Sequence, residues 1–332
     1  MNSHIQLRLE FQQNPVGDEV SAITAVVRPI LVGVLHSLKK EVANELGGLG
    51  NIKLFMLARN RRPSDGDIGV CFEYAVHDAL ARGDAVVTDR VASALSLCGV
   101  EGSRVGSILF GAEKSGARAL IDTAKSILTD DSSLIYGQGR PLKLKKHLEM
   151  ITDAFRKPEE RSYLPESVRE LWKADLFTGD LDSDKWVGTS LKVNREHLEP
   201  GKGLRLGIVP CRETESDSIV RDDSRNLVVC PLPYDHSFMQ VFYQAWEVVV
   251  QFFNADAKLP KEASLPRPAS RQVARYLEER RSFPVLDVID ALVPLAQPAL
   301  LRTEEKIATL EDTAVTATET TTAILAPIPG KR

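Results

Sequence analysis

Residues 171–194 read LWKADLFTGDLDSDKWVGTSLKVN. Two runs of mixed apolar and polar residues, LWKADLFTG and WVGTSLKVN, flank a turn of small polar residues. This pattern is that of a β-hairpin. With the turn centred within Leu181–Ser183, antiparallel counting sets Asp175 about opposite Ser190. Ser190 and Lys192 lie two residues apart and so share one face of their strand. Asp175, Ser190 and Lys192 are therefore expected to converge, with Thr189, Leu191 and Val193 on the other face. Asp180, Asp182 and Asp184 read as turn formers and solvated charges.

Working outward, GLRLGIVP (203–210) and NLVVCPLP (226–233) are two further strand candidates. An amphipathic helix is predicted over about 236–253, on the spacing of Phe238, Val241, Phe242, Ala245, Val248, Val249 and Phe252. Upstream, DIGVCFEYAVHDALAR (67–82) predicts a helix ending at Gly83 and carrying Glu73. Residues 18–46 predict a mostly helical segment with a kink at Pro29. Ile52 to Leu57 reads as a strand or a buried helix. Residues 84–130 read as further helices with short connections, 148–156 as a helix, and 3–11 as a weak edge strand.

The expected fold is mixed α/β: a central, mostly antiparallel or mixed sheet flanked by helices, with additional helical segments. Residues 1–257 form the α/β domain, with a helical insertion at about 84–170. A Pro-punctuated segment, 258–270, leads into a helical C-terminal region reaching residue 312. The Thr-rich stretch 313–332 is expected to be a disordered tail.

A metal-dependent phosphodiesterase needs carboxylates for a hard divalent cation and a lysine near the scissile phosphate. A hairpin carrying an Asp on one strand and a residue-x-Lys pair on the next supplies this economically. These residues resemble the PD-(D/E)XK superfamily, whose fold is that of restriction endonucleases. Asp175 matches the family Asp, Lys192 the family Lys, and Glu73 the acid that the family often takes from an earlier helix. Ala174 stands where the family often has Pro, and Ser190 where it usually has Glu or Asp. Some members carry Ser-x-Lys and draw the missing carboxylate from a helix, which points to Glu73, with Glu196 as a local substitute.

The resemblance implies a restriction-endonuclease-like core and a Mg²⁺- or Mn²⁺-dependent endonuclease acting on DNA, in restriction or anti-phage defence. Asp175 and Glu73 would hold the metal, and Asp175, Ser190, Lys192 and Glu73 would form the catalytic set. A helicase or ATPase is the kind of protein partner such a nuclease would have. The alternative is a catalytically inactive, nuclease-like binding or scaffolding subunit of a multi-protein defence complex.

The segment RPLKLKK (140–146) has four basic residues and no acid, so Arg140, Lys143, Lys145 and Lys146 are candidate phosphate contacts. Arg59, Arg61 and Arg62 form a second basic group. The net charge is only −4, so any nucleic-acid contact must be a local groove. The four cysteines form no CxxC pair, which argues against a structural zinc site and suits a reducing compartment. No P-loop and no GxSxG elbow is present. Arg28, Pro29 and His36 break the most apolar early run, and the opening residues lack a secretory pattern, so a cytoplasmic protein with no membrane span is expected.

Overall fold

The computed structural model describes residues 16–62, 67–110, 127–137, 140–156, 163–165, 173–212, 214–234, 238–258 and 264–296. The expected strand at 3–11 and the tail at 313–332 lie outside these residues. The helices are α1 (Asp18–His36), α2 (Lys40–Glu45), α3 (Leu54–Asn60), α4 (Ile68–Ala81), α5 (Ala85–Leu97), α6 (Leu144–Arg156), α7 (Phe238–Asn254), α8 (Pro268–Glu279) and α9 (Val285–Ala291). The strands are β1 (Val105–Leu109), β2 (Ser133–Leu134), β3 (Leu142–Lys143), β4 (Leu176–Asp180), β5 (Lys185–Leu191), β6 (Arg205–Cys211), β7 (Val220–Asp222) and β8 (Leu227–Pro233).

Among the described residues the strands form one mixed sheet in the order β1-β4-β5-β6-β8-β7, with β2 and β3 beside the start of β5. β4 and β5 are the predicted hairpin, pairing Leu176 with Thr189 and Asp180 with Lys185. Continued by one residue, this register would set Asp175 opposite Ser190, as antiparallel counting gives, but the ladder itself ends at Leu176. β5, β6 and β8 run parallel to one another, and β1 and β7 close the two edges antiparallel. The fold is therefore α/β with a mixed open sheet flanked by helices.

Hydrophobic burial fixes the two layers on this sheet. On one face, Leu176, Val187, Leu191, Leu206, Ile208, Val228 and Cys230 meet a large core drawn from α1, α4, α5, α7, α8 and α9. On the other, Ile108, Phe110, Phe177 and Trp186 pack against Leu144, Leu148 and Ile151 of α6. Because both faces are covered, β4 is buried along its whole length and loses the clean polar–apolar alternation of a half-exposed strand.

Helix starts follow capping chemistry. Asp67 accepts the Val70 N–H at 2.8 Å to begin α4, and Asp84 accepts the Val87 N–H at 3.2 Å to begin α5. α1 is long and apolar enough to cross a membrane by length and composition, but 72% of its apolar window is buried inside the protein. Its interrupting Arg28 donates from Nε to the Ile289 carbonyl at 3.2 Å, tying α1 to α9. α8 joins the same core, where Val273, Ala274 and Leu277 lie with α1 residues.

Three short strands, β1, β2 and β3, fall inside the insertion expected to be helical. Residues 105–109, inside the stretch read as helical, form β1 and pair residue for residue with β4. The run VGSIL is too short to display a helical or strand period, so only its partner strand decides its state.

The hairpin depends on close backbone approach at Gly179. A Cβ there would overlap the Lys185 carbonyl and the Trp186 backbone. Gly179→Ala is expected to destabilise the fold by about 2–3 kcal/mol, the cost typical of overpacking. Urea denaturation measures this, and an unchanged midpoint would contradict the register.

Candidate active site

The two ends of the hairpin differ in chemistry. At the turn, acids serve structure. Asp180 is buried and accepts the backbone N–H groups of Ser183 (2.7 Å) and Arg104 (3.2 Å). Asp182 pairs with Arg104 at 2.6 Å. Asp184 adopts φ 51°, and its carboxylate accepts the Trp186 indole N–H (2.6 Å) and the hydroxyls of Ser132 and Thr129. All three serve the turn as the sequence suggested, but only Asp182 is the solvated charge expected of them: Asp180 is buried and Asp184 half-buried.

At the open end lies Asp175, only 5% exposed. Its N–H donates at 2.9 Å to the carbonyl of Thr189, the residue paired with Leu176. Two successive residues thus meet one partner, as in a β-bulge, a feature that re-aims side chains at strand ends. The Asp175 Oδ2 then accepts the Leu191 N–H at 2.8 Å. Since that N–H points along the ladder direction, the carboxylate stands in the plane of the sheet, where a β4 carbonyl would otherwise be. Lys192 closes the arrangement, with Nζ 3.1 Å from the same oxygen. Asp175 and Lys192 are therefore brought together as expected.

Ser190, 9% exposed, lies between them on β5 and on the same face as Lys192. On the other face the Thr178 and Thr189 hydroxyls satisfy each other at 2.6 Å, which accounts for a threonine among core residues. Ser190 pairs with Gly207 of β6, and Arg205 lies two residues before Gly207 on that face. Arg205 is buried (7% exposed) and was not among the residues expected at the site. The available signal was an arginine inside the apolar run GLRLGIVP.

Glu73 is 2% exposed on α4. Helical periodicity puts Gly69, Glu73 and His77 on one stripe. Gly69 lies against Val193, with its would-be Cβ 3.9 Å from the valine methyl, and the His77 ring nitrogen Nδ1 is 3.0 Å from the Ser107 hydroxyl of β1. Both contacts lie on the sheet face that carries Thr189 and Leu191, so α4 holds Glu73 on that face, opposite to the one that Ser190 and Lys192 share. Its negative charge, with that of Asp67, adds to burial in raising the Cys71 thiol. Burial likewise lowers the imidazoles of His77 and His36. His197 is exposed in a short 3₁₀ turn, Arg195–His197.

The basic segments are more committed than their sequence implies. Lys143 pairs with Asp131 at 3.2 Å, and Lys145 with Asp130 at 2.8 Å. Arg140 and Lys146 are exposed. Arg59 forms a two-point pair with Asp256, at 2.7 and 2.8 Å, and Arg61 donates to Asn254 at 2.9 Å.

The candidate residues for a metal are oxygen donors, the Asp175 and Glu73 carboxylates. That chemistry suits Mg²⁺ or Mn²⁺ rather than zinc. Among the described residues no group of three His, Cys, Asp or Glu side chains is placed to hold a metal. A site of two carboxylates completed by water and phosphate oxygens is the arrangement Mg²⁺ commonly takes. Comparison with known protein families, with characterised proteins and with solved structures finds no match.

Asp180 gives a pH-dependent check on the turn. Burial pushes its carboxyl up, but the N–H groups of Ser183, Arg104 and Asp182 and the Ser183 hydroxyl outweigh this and hold it below its ordinary 3.8. A carboxyl lowered on folding contributes stability above that ordinary value, and the contribution is lost as pH falls below it. Asp180→Asn is expected to be less stable at neutral pH and to lose less stability on acidification than the wild type. Urea midpoints between pH 7 and pH 2 test this, and parallel curves would contradict it.

Proposed function

We propose that the protein is a metal-dependent nuclease of PD-(D/E)XK type acting on DNA. The observation that carries this reading is the buried Asp175 carboxylate with Lys192 Nζ at 3.1 Å, at the open end of the β4–β5 hairpin. The order of parts also supports it: an acid-bearing helix, α4, precedes a hairpin with Asp on its first strand and Ser-x-Lys on its second. A restriction-endonuclease-like core is the finer fold assignment this order suggests.

Asp175 and Glu73 would hold Mg²⁺ or Mn²⁺, which when bound would neutralise phosphate charge and acidify a water. Lys192 is pre-positioned by Asp175, so its ammonium would face the negative charge that develops on the phosphoryl oxygens. The Ser190 hydroxyl, on the same strand face, would orient the attacking water. Arg205, buried where Lys192 is half-exposed, adds a second positive charge on that face.

A second reading, a nuclease-like subunit that binds without cutting, is favoured by one observation. Ser190 stands at the position where a further carboxylate would complete the metal set.

Cleavage of plasmid, linear duplex and single-stranded DNA in Mg²⁺ or Mn²⁺ separates the two. Wild type is expected to cut, and EDTA to abolish cutting. Lys192→Ala and Asp175→Asn are each expected to lower the rate by at least about 10²-fold, the scale of losing one electrostatic contact to the transition state. Asn at 175 keeps an acceptor for the Leu191 N–H, so this variant should remain folded. A folded Asp175→Asn protein that cuts at the wild-type rate would sink the assignment.

A further inference from the structure

We propose that an unpaired DNA strand lies along the C-terminal edge of β5, β6 and β8, with phosphates on Arg195 and Arg212 and a base stacked on Tyr234. This rests on the nuclease reading of the Asp175–Lys192 site and names the form of DNA that reaches it. The three strands are parallel neighbours, so their ends open on one side of the sheet, where ligands of α/β proteins commonly sit. Each chain leaving this edge carries a residue fit for a nucleic acid. Lys192 and Arg195 follow β5, Arg212 follows β6, and Tyr234 follows β8.

The two arginines contrast with the basic segments described above. Both are exposed, and among the described residues neither guanidinium is held in an ion pair or hydrogen bond. The Glu215 carboxylate nearby accepts the Arg212 backbone N–H at 3.3 Å, not its side chain. The candidates Lys143 and Lys145 are instead each held by an aspartate. Unpaired guanidiniums are the groups that gain most from meeting phosphates.

Tyr234 supplies the recognition of a base. It is 40% exposed, yet fixed: its N–H donates to the Cys211 carbonyl at 3.0 Å. Its ring lies 5.7 Å from that of Tyr243 on α7, which in turn packs 5.5 Å from the buried Phe242. An anchored, partly exposed aromatic beside unpaired cations is the usual platform for an unstacked base. In a duplex the bases stack on each other and would leave it unused. Leu191 is level with Ile208, and Ile208 with Cys230, so Tyr234 lies two strands across and four residues along. That is roughly 16 Å from the end of β5, within a few nucleotides of the site.

The test is binding by fluorescence anisotropy in EDTA, where no cutting occurs. Labelled oligo(dT), an abasic strand of equal length and a duplex are compared. Wild type is expected to prefer oligo(dT). Tyr234→Ala should weaken oligo(dT) at least about fivefold but leave the abasic strand unaffected, while Tyr234→Phe keeps wild-type affinity. Arg195→Ala and Arg212→Ala should weaken both strands and each lower the salt slope by about 0.7. The proposal is overturned if wild type prefers duplex or binds no strand, or if Tyr234→Ala binds oligo(dT) as wild type does. Metal-dependent cutting with any of those results would leave the nuclease reading standing without this one. Base-dependent binding without cutting would do the reverse.

Discussion

A carboxylate that replaces a backbone carbonyl at the end of a β ladder organises this molecule. Asp175 accepts the Leu191 N–H and the Lys192 ammonium on one oxygen while almost wholly buried. Burying a carboxylate is costly unless it is paired and hydrogen-bonded, and this one is both. The bulge at Asp175 lets β4 leave the ladder without abandoning that N–H. The same contact holds the Lys192 ammonium in one place, 3.1 Å from the carboxylate.

The surrounding structure fixes the hairpin in place. The turn end is pinned by Asp180 and Asp184, and two hydrophobic layers clamp the strands between. Aspartates at the two ends of one hairpin thereby take different roles. Those at the turn meet backbone N–H groups, hydroxyls, an indole and a surface arginine, whereas Asp175 meets a lysine beside a helix that carries a second buried acid. Position along the strand, not residue type, separates the structural acids from the candidate reactive one.

Much of this was legible in the sequence, for identifiable reasons. The hairpin register follows from a period of two and a turn of small polar residues, and the Asp175–Lys192 contact follows from the register. Asp67 announces α4 because a capping carboxylate needs only local neighbours. Long-range partners were not legible. β1 is a strand because β4 lies beside it, and the lysines of 140–146 meet Asp130 and Asp131 only once the chain has folded back. Phe72 and Tyr74 do not reveal which way Glu73 faces. The contacts of Gly69 with Val193 and of His77 with Ser107 do, and neither can be read from the helix alone.

Direct metal binding bears most closely on this account. Mn²⁺ titration followed by electron paramagnetic resonance would be run on wild type, Asp175→Asn and Glu73→Gln without DNA, where each bound ion leaves the free-ion signal. Wild type is expected to bind one Mn²⁺, and either variant to bind it at least about tenfold more weakly, a scale set by losing one ligand contact to the metal. Equal binding by wild type and Asp175→Asn would contradict a metal site at the open end of the hairpin.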